Sequence, residues 1–141
     1  MEKRNVSQQT IMTAIMGAAL LYLMASCFSC GNDSFDKVLM KTAQEINKNC
    51  PMMIDKDTRL DTTLGGPGNR FTYNYTLINY GADDLDTEKF NSLMKPRLLN
   101  NVKTNKDLEI FRKKNVEIVY VYKSKDQKEI ARITLSPSDY K

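Results

Sequence analysis

Asp55, Asp57 and Asp61 fall in one short run, Asp55-Lys56-Asp57-Thr58-Arg59-Leu60-Asp61. Carboxylates so spaced are candidate ligands for calcium, a hard cation that takes oxygen donors. The run departs from the calcium-loop pattern: Gly is missing at the sixth position and Glu at the twelfth. Lys56 and Arg59 also sit among its acids. A charged turn entering a strand, with an Asp–Arg pair, is the other account of these residues. Tyr73, Tyr75, Tyr120 and Tyr122 recur at period two in two separate stretches. On neighbouring strands they would form an aromatic ladder, which is either a binding platform for a peptide or sugar, or one core face with phenols at its rim. Gly65-Gly66-Pro67-Gly68-Asn69 lacks the Lys-Ser/Thr ending and the following helix of a phosphate-binding loop, so it reads as a hairpin turn. The chain has no histidine. That excludes Ser-His-Asp and Cys-His catalysis and the commonest zinc ligand sets. Acids such as Asp61, Asp83, Asp84 and Glu117 remain for acid–base work, and nothing in the sequence shows that two of them converge. No catalytic residue, metal or cofactor is implied.

The elements that must position these residues follow from periodicity. Phe35, Val38, Leu39, Thr42, Ala43 and Ile46 share one face of a helix predicted over 35–48, with Asp33 or Ser34 as its cap. Asn49 and Pro51 end it. A strand is predicted over 52–64, where Thr58, Leu60, Thr62 and Leu64 alternate with more polar neighbours. A second follows the glycine-rich turn, where Phe71, Tyr73, Tyr75 and Leu77 alternate with Thr72, Asn74 and Thr76. The two make a hairpin. Asp86 caps another helix, carrying Phe90, Leu93, Met94 and Leu98, with a kink or break at Pro96. Thr104 or Asn105 starts a further short helix with Leu108, Ile110 and Phe111, and Asn115 stops it. Strands at Val116–Tyr122 and Glu129–Leu135 complete the pattern, and Pro137 ends the second of them. The order α-β-β-α(α)-β-β predicts a single α+β domain over 35–141. Its sheet is expected to be four-stranded and mainly antiparallel, with two or three helices on one face.

The first residues have a different character. Lys3 and Arg4 precede an uncharged apolar run, Ile11 to Ser26. A basic segment followed by a short apolar one is the pattern of a secretory signal, and the run is short for a bilayer span of about 20 residues. It ends in Met24-Ala25-Ser26-Cys27, which resembles the lipobox of bacterial lipoproteins. That resemblance implies cleavage before Cys27 and acylation of its sulfur and amine. Met24 departs from the usual Leu. Cys30 is the alternative acceptor: the Gly31-Asn32-Asp33-Ser34 after it is similar to the tether start of many Bacteroidetes-type lipoproteins, although Phe28-Ser29 before it fits less well. Residues 1–26 are thus expected to be a lipoprotein signal and 27–34 a lipidated tether. If Cys27 carries lipid, Cys30 and Cys50 are free to pair in an oxidising compartment. In the body, Pro51 to Asp61 together with Phe71 to Leu77 is similar to segments of small exported bacterial proteins without an assigned activity, and implies none here.

The 141 residues carry a net charge of +4, with acids interspersed among the lysines and arginines. Such a surface keeps a small domain soluble, and nothing in it reads as a nucleic-acid site. The expected function is a non-enzymatic binding or structural module of the cell envelope, held by an N-terminal lipid on the periplasmic face or at the outer membrane. Its expected partners are the membrane and an envelope protein or peptide. Two alternatives stand beside it: an envelope enzyme using carboxylate or Tyr/Lys chemistry, and an inhibitor or immunity-type protein that covers another protein.

Overall fold

A computed structural model describes residues 35–141. The expected signal (1–26) and tether (27–34), with Cys27 and Cys30, lie outside the described residues, as do the cap candidates Asp33 and Ser34. Helix α1 (Phe35–Asn47) buries Leu39, Thr42, Ala43 and Ile46, the stripe that the periodicity predicts. The strands are β1 (Met52–Met53), β2 (Thr58–Gly66), β3 (Arg70–Leu77), β4 (Glu117–Ser124) and β5 (Glu129–Leu135). Between β3 and β4 run helix α2 (Thr87–Thr104) and the short helix α3 (Glu109–Lys113), and α4 (Pro137–Tyr140) closes the chain.

The sheet has five strands in the order β1-β2-β3-β4-β5, one more than the four expected. The difference lies in the stretch 52–64, which is two strands rather than one. Asp55 turns the chain there: its Oδ1 accepts from the backbone N–H of Asp57 at 2.7 Å and of Thr58 at 2.9 Å. This side-chain-closed turn folds Met52 and Met53 back onto Leu60 and Arg59. The sheet is also mixed. β1–β2, β2–β3 and β4–β5 pair antiparallel, while β3 and β4, in the centre, run parallel. A parallel pair needs a long crossover, and residues 78–116 supply it. Pro96 does not break α2. The helix runs through it, and both Pro96 and Ser92, four residues earlier, are exposed. The carbonyl that loses its helical partner there faces water. Asp86 caps α2 by accepting from Lys89 N–H at 2.9 Å. Arg112 closes the other end, donating to the carbonyls of Val102 and Asn105 at 2.6 and 2.7 Å.

The β-strand period of two sorts the sheet into two faces. Leu60, Phe71, Tyr73, Tyr75, Tyr120 and Tyr122 point to the helical side and share one core with the buried residues of α1, α2 and α3. The tyrosine ladder expected from the sequence is present, since Tyr73 pairs with Tyr120 and Tyr75 with Tyr122 across β3–β4. The rings stack at centroid distances of 5.4 and 5.2 Å. Tyr122 is fully enclosed, and the most exposed of the four, Tyr73, retains only 7% of its surface. The rings are therefore core, not a surface platform, because the helices cover that face.

The open edge of β2 is sealed by α1. The Asn47 side chain acts as a piece of strand: its Nδ2 donates to Thr63 C=O at 2.8 Å, and its Oδ1 accepts from Thr63 N–H at 2.7 Å. Two turns earlier in the helix, α1 lies directly on Gly65, where a Cβ would overlap the Leu39 carbonyl. At the far end Asn69, in the left-handed conformation at φ 57°, donates to the carbonyls of Lys114 and Asn115. Its own N–H donates to Asp36 at the start of α1.

Gly65→Ala is expected to cost about 2–3 kcal/mol in urea unfolding, the upper part of the span for core overpacking. Gly66→Ala, with nothing within 4 Å of the added carbon, should stay within about 0.5 kcal/mol. Equal effects would show that α1 does not rest on Gly65.

Burial pushes the phenols of Tyr73, Tyr75, Tyr120 and Tyr122 far above their ordinary value. The folded state therefore holds protons that an unfolded chain releases near pH ~10. The stability from these groups is complete below that pH and falls as pH rises above it. An ultraviolet titration should show these four phenols ionising only in one cooperative step, together with loss of far-ultraviolet circular dichroism. Gradual ionisation of all the tyrosines with the fold intact would contradict the buried ladder.

Candidate functional site

The face of the sheet away from the helices carries the polar half of each strand. Thr72, Asn74 and Thr76 on β3 alternate with the buried aromatics, as does Lys123 on β4. Val119 and Val121 belong to this side of β4 and are buried, yet they stand outside the shared core. A β-bulge interrupts β2: Leu60 pairs with Tyr75 and Thr62 with Asn74, leaving Asp61 without a partner position. A bulge inserts one residue and re-aims the side chains around it. Here it places both Asp61 and Thr62 on the open face while Leu60 and Thr63 remain inside.

These residues line a shallow groove of about 620 Å³, floored by Arg59, Asp61, Thr62, Asn74 and Lys123. Pro51 and Gln127, the latter in the β4–β5 turn, complete its lining. Asp61 is held twice. Its Oδ1 accepts from Arg59 Nε at 2.5 Å, and its Oδ2 accepts from the hydroxyl of Thr76 at 2.5 Å. Thr76 is itself only 2% exposed, so the carboxylate is fixed from below as well as from the side. Arg59 spends one N–H on this pair and keeps the outer nitrogens of its fork. Lys123 faces Glu129, its register partner on β5, and the carboxylate of Glu129 is already bound by Arg132 at 3.0 and 2.8 Å. That bidentate pair, with Lys123 adding its charge, lowers Glu129 below the ordinary carboxylate range.

The three aspartates of the candidate calcium run do not converge. Asp55 closes the β1–β2 turn on the helical side. Asp57 is 6% exposed and accepts from the Asn79 side chain at 2.7 Å. Asp61 lies on the opposite face, paired with Arg59. Among the described residues no group of three or more acids, cysteines or histidines is placed to hold a metal ion. The other acids serve the fold: Asp84 caps Gly81 N–H, Glu117 pairs with Arg70, and Asp139 holds Ser136. Cys50 is half-buried and unpaired among the described residues. Burial and the nearby Asp61 push its thiol up, away from the thiolate that a nucleophile requires.

The groove went unseen in the sequence because its parts come from five separate stretches of chain. The signal that does exist is the polar half of the β3 alternation, Thr72-x-Asn74-x-Thr76, on a strand whose other half is strongly aromatic. Arg59 and Asp61 were legible as an ion pair, but not as the edge of a surface.

The fold recurs in solved structures. A protein of Pseudomonas aeruginosa assigned as secreted superposes with a TM-score of 0.63 at 16% identity, over 80% of this chain and all of the other. The pilotin EpsS of the Vibrio vulnificus type 2 secretion system gives 0.59 at 6% identity, covering 75% of this chain and 91% of its own. The Vibrio cholerae type II secretion pilotin AspS gives 0.55 at 9%, over 74% and 90%. At these identities the likeness is one of fold. No curated protein matches the chain. Among the described residues no helix is long and apolar enough to cross a membrane. Residues 34–131 match the family model described as Domain of unknown function (DUF8479), and the chain belongs to that family.

Proposed function

We propose that the chain is an exported, lipid-tethered module of the bacterial envelope that works by binding another protein and performs no chemistry of its own. The observation that carries this reading is a pairing: a lipobox-like leader precedes a fold that recurs in two secretion pilotins and in a protein assigned as secreted. The state of the acids supports it. General acid–base catalysis needs a titratable group free to exchange a proton near the reacting atom. The carboxylates on the open face are held in ion pairs, and those at the turns are held by backbone N–H groups. In this reading Cys27 takes the lipid, with Cys30 as the alternative. Several acyl chains hold a protein firmly where one chain gives only marginal binding.

Two measurements test the proposal. Labelling cells with a palmitate analogue should mark the protein, and Cys27→Ser should abolish the mark and release the chain from the membrane fraction. A label that survives in Cys27→Ser and vanishes in Cys30→Ser moves the acceptor to Cys30. Absence of label on the wild-type chain removes the tether. For the binding role, a photo-crosslinking residue at Asn74 in cells should give one discrete adduct with an envelope protein. Uniform failure there, and at Leu64 and Thr134 on the same face, would count against a binding module.

A further inference from the structure

The open-face groove has an unbalanced hydrogen-bonding character. Its one carboxylate, Asp61, has both oxygens engaged, by Arg59 and by Thr76. Its donors are less fully used. Arg59 retains its outer guanidinium nitrogens, Lys123 has no ion pair within 4 Å among the described residues, and the amides of Asn74 and Gln127 face the same space. Glu129, the acid closest in register to Lys123, is taken by Arg132. Arg59 is paired through one nitrogen only and Lys123 acts on Glu129 by charge rather than by a contact pair, so the unused capacity of the groove is weighted toward donors and suits a ligand that brings acceptors and negative charge.

The spacing says more. Arg59 stands opposite Thr76, and Thr76 opposite Lys123. The two cations are thus two strands apart, roughly 10 Å between their backbones. In an extended chain, acids at i and i+2 point the same way and lie about 6.8 Å apart. Arginine and lysine carry their charges on long flexible stems, which close the remaining distance. The groove is open and shallow, which suits a segment of chain laid along the sheet better than a small molecule enclosed in a pocket.

We infer that this groove binds an extended, acidic peptide segment of the partner protein, with Arg59 and Lys123 taking carboxylates two residues apart and Asn74 and Gln127 bonding its backbone from the two sides of that row. The inference rests on the reading of the chain as a binding module and names the chemistry of its partner.

The test uses the full chain in mild detergent and a fluorescein-labelled ten-residue peptide of alternating Glu and Ser, read by fluorescence anisotropy. A Gln/Ser peptide of equal length is the neutral comparison. The acidic peptide should bind at least about tenfold more tightly, and the advantage should shrink with added salt as screening grows. Lys123→Glu should weaken it by about tenfold or more, and the milder Lys123→Gln should do so in the same direction. Lys125→Glu makes the same charge change on an exposed residue outside the groove and should leave binding within about twofold. Equal binding of the two peptides overturns the proposal. So does an equal loss in Lys123→Glu and Lys125→Glu, because the attraction would then be diffuse charge. If the peptides fail to discriminate while the Asn74 crosslink still forms in cells, the acidic-segment assignment is wrong and the binding module stands. If no crosslink forms at Asn74, Leu64 or Thr134 either, both fall together.

Discussion

The stacking of Tyr73 on Tyr120 and of Tyr75 on Tyr122 across the central parallel pair is the constraint from which the rest of the domain follows. Aromatic pairs of this kind are worth about 0.5–1.5 kcal/mol beyond the area they bury, but their larger effect is to fix direction. A one-residue slip of either strand would turn that strand's rings to the other side, and a slip of both would turn all four. Four phenols would then leave the core, and Thr72, Asn74, Thr76, Val121 and Lys123 would enter it. The cost of burying an amine and an amide without partners makes the observed register the only economical one. The polar groove is thus the reverse side of the tyrosine ladder: the same alternation that buries the rings presents the donors.

The ladder alone does not close the sheet. A domain of this size buries a modest core, and the β2 edge would be a liability if left bare. Helix α1 covers it through backbone-directed contacts: the Asn47 amide pairs with both polar groups of Thr63, and a glycine at 65 lets the helix backbone come close. Asn69 then ties the hairpin turn to the start of α1 and to the entry of β4. Tyr140 secures the C-terminus by donating to Val116 C=O at 2.6 Å. Each of these is a single polar side chain satisfying backbone groups that neither helix nor sheet could satisfy.

Local signals in the sequence carried the local structure. The α1 stripe, the Asp86 cap, the stop at Asn115, the β5 face of Ala131, Ile133 and Leu135, and the aromatic half of β3 are all set by residues within a few positions of one another, and all are found where the periodicity puts them. What depends on distant residues was not legible. The parallel pairing of β3 with β4 is decided by a crossover of nearly forty residues (78–116), whose path no local pattern encodes. The separation of β1 from β2 turns on Asp55 closing a turn with its own side chain. That motif looked like a metal ligand because turn-forming and metal-binding aspartates share the same preference for N–H groups or cations around an oxygen. The continuity of α2 through Pro96 depends on which side of the helix faces water, and that is settled only when the helix docks. The groove is the extreme case, since Arg59, Asn74 and Lys123 meet only after the sheet has formed.

The bulge at Asp61 arranges the proposed binding surface in advance. A free arginine and a free lysine on a sheet face would attract any anion, and the arginine would lose rotamer freedom on binding. Asp61, pinned by the buried Thr76 hydroxyl, removes part of that cost in advance by orienting the Arg59 fork before a ligand arrives. It also cancels one of the two charges, so long-range attraction falls to Lys123 while geometry falls to Arg59. A contact built this way is modest in affinity and specific in shape. In the proposed reading, a lipid tether would let a partner in the same membrane be met at high effective concentration, so a modest contact would be enough. Under the inferred acidic-peptide binding, the oriented Arg59 fork would then select which segment stays.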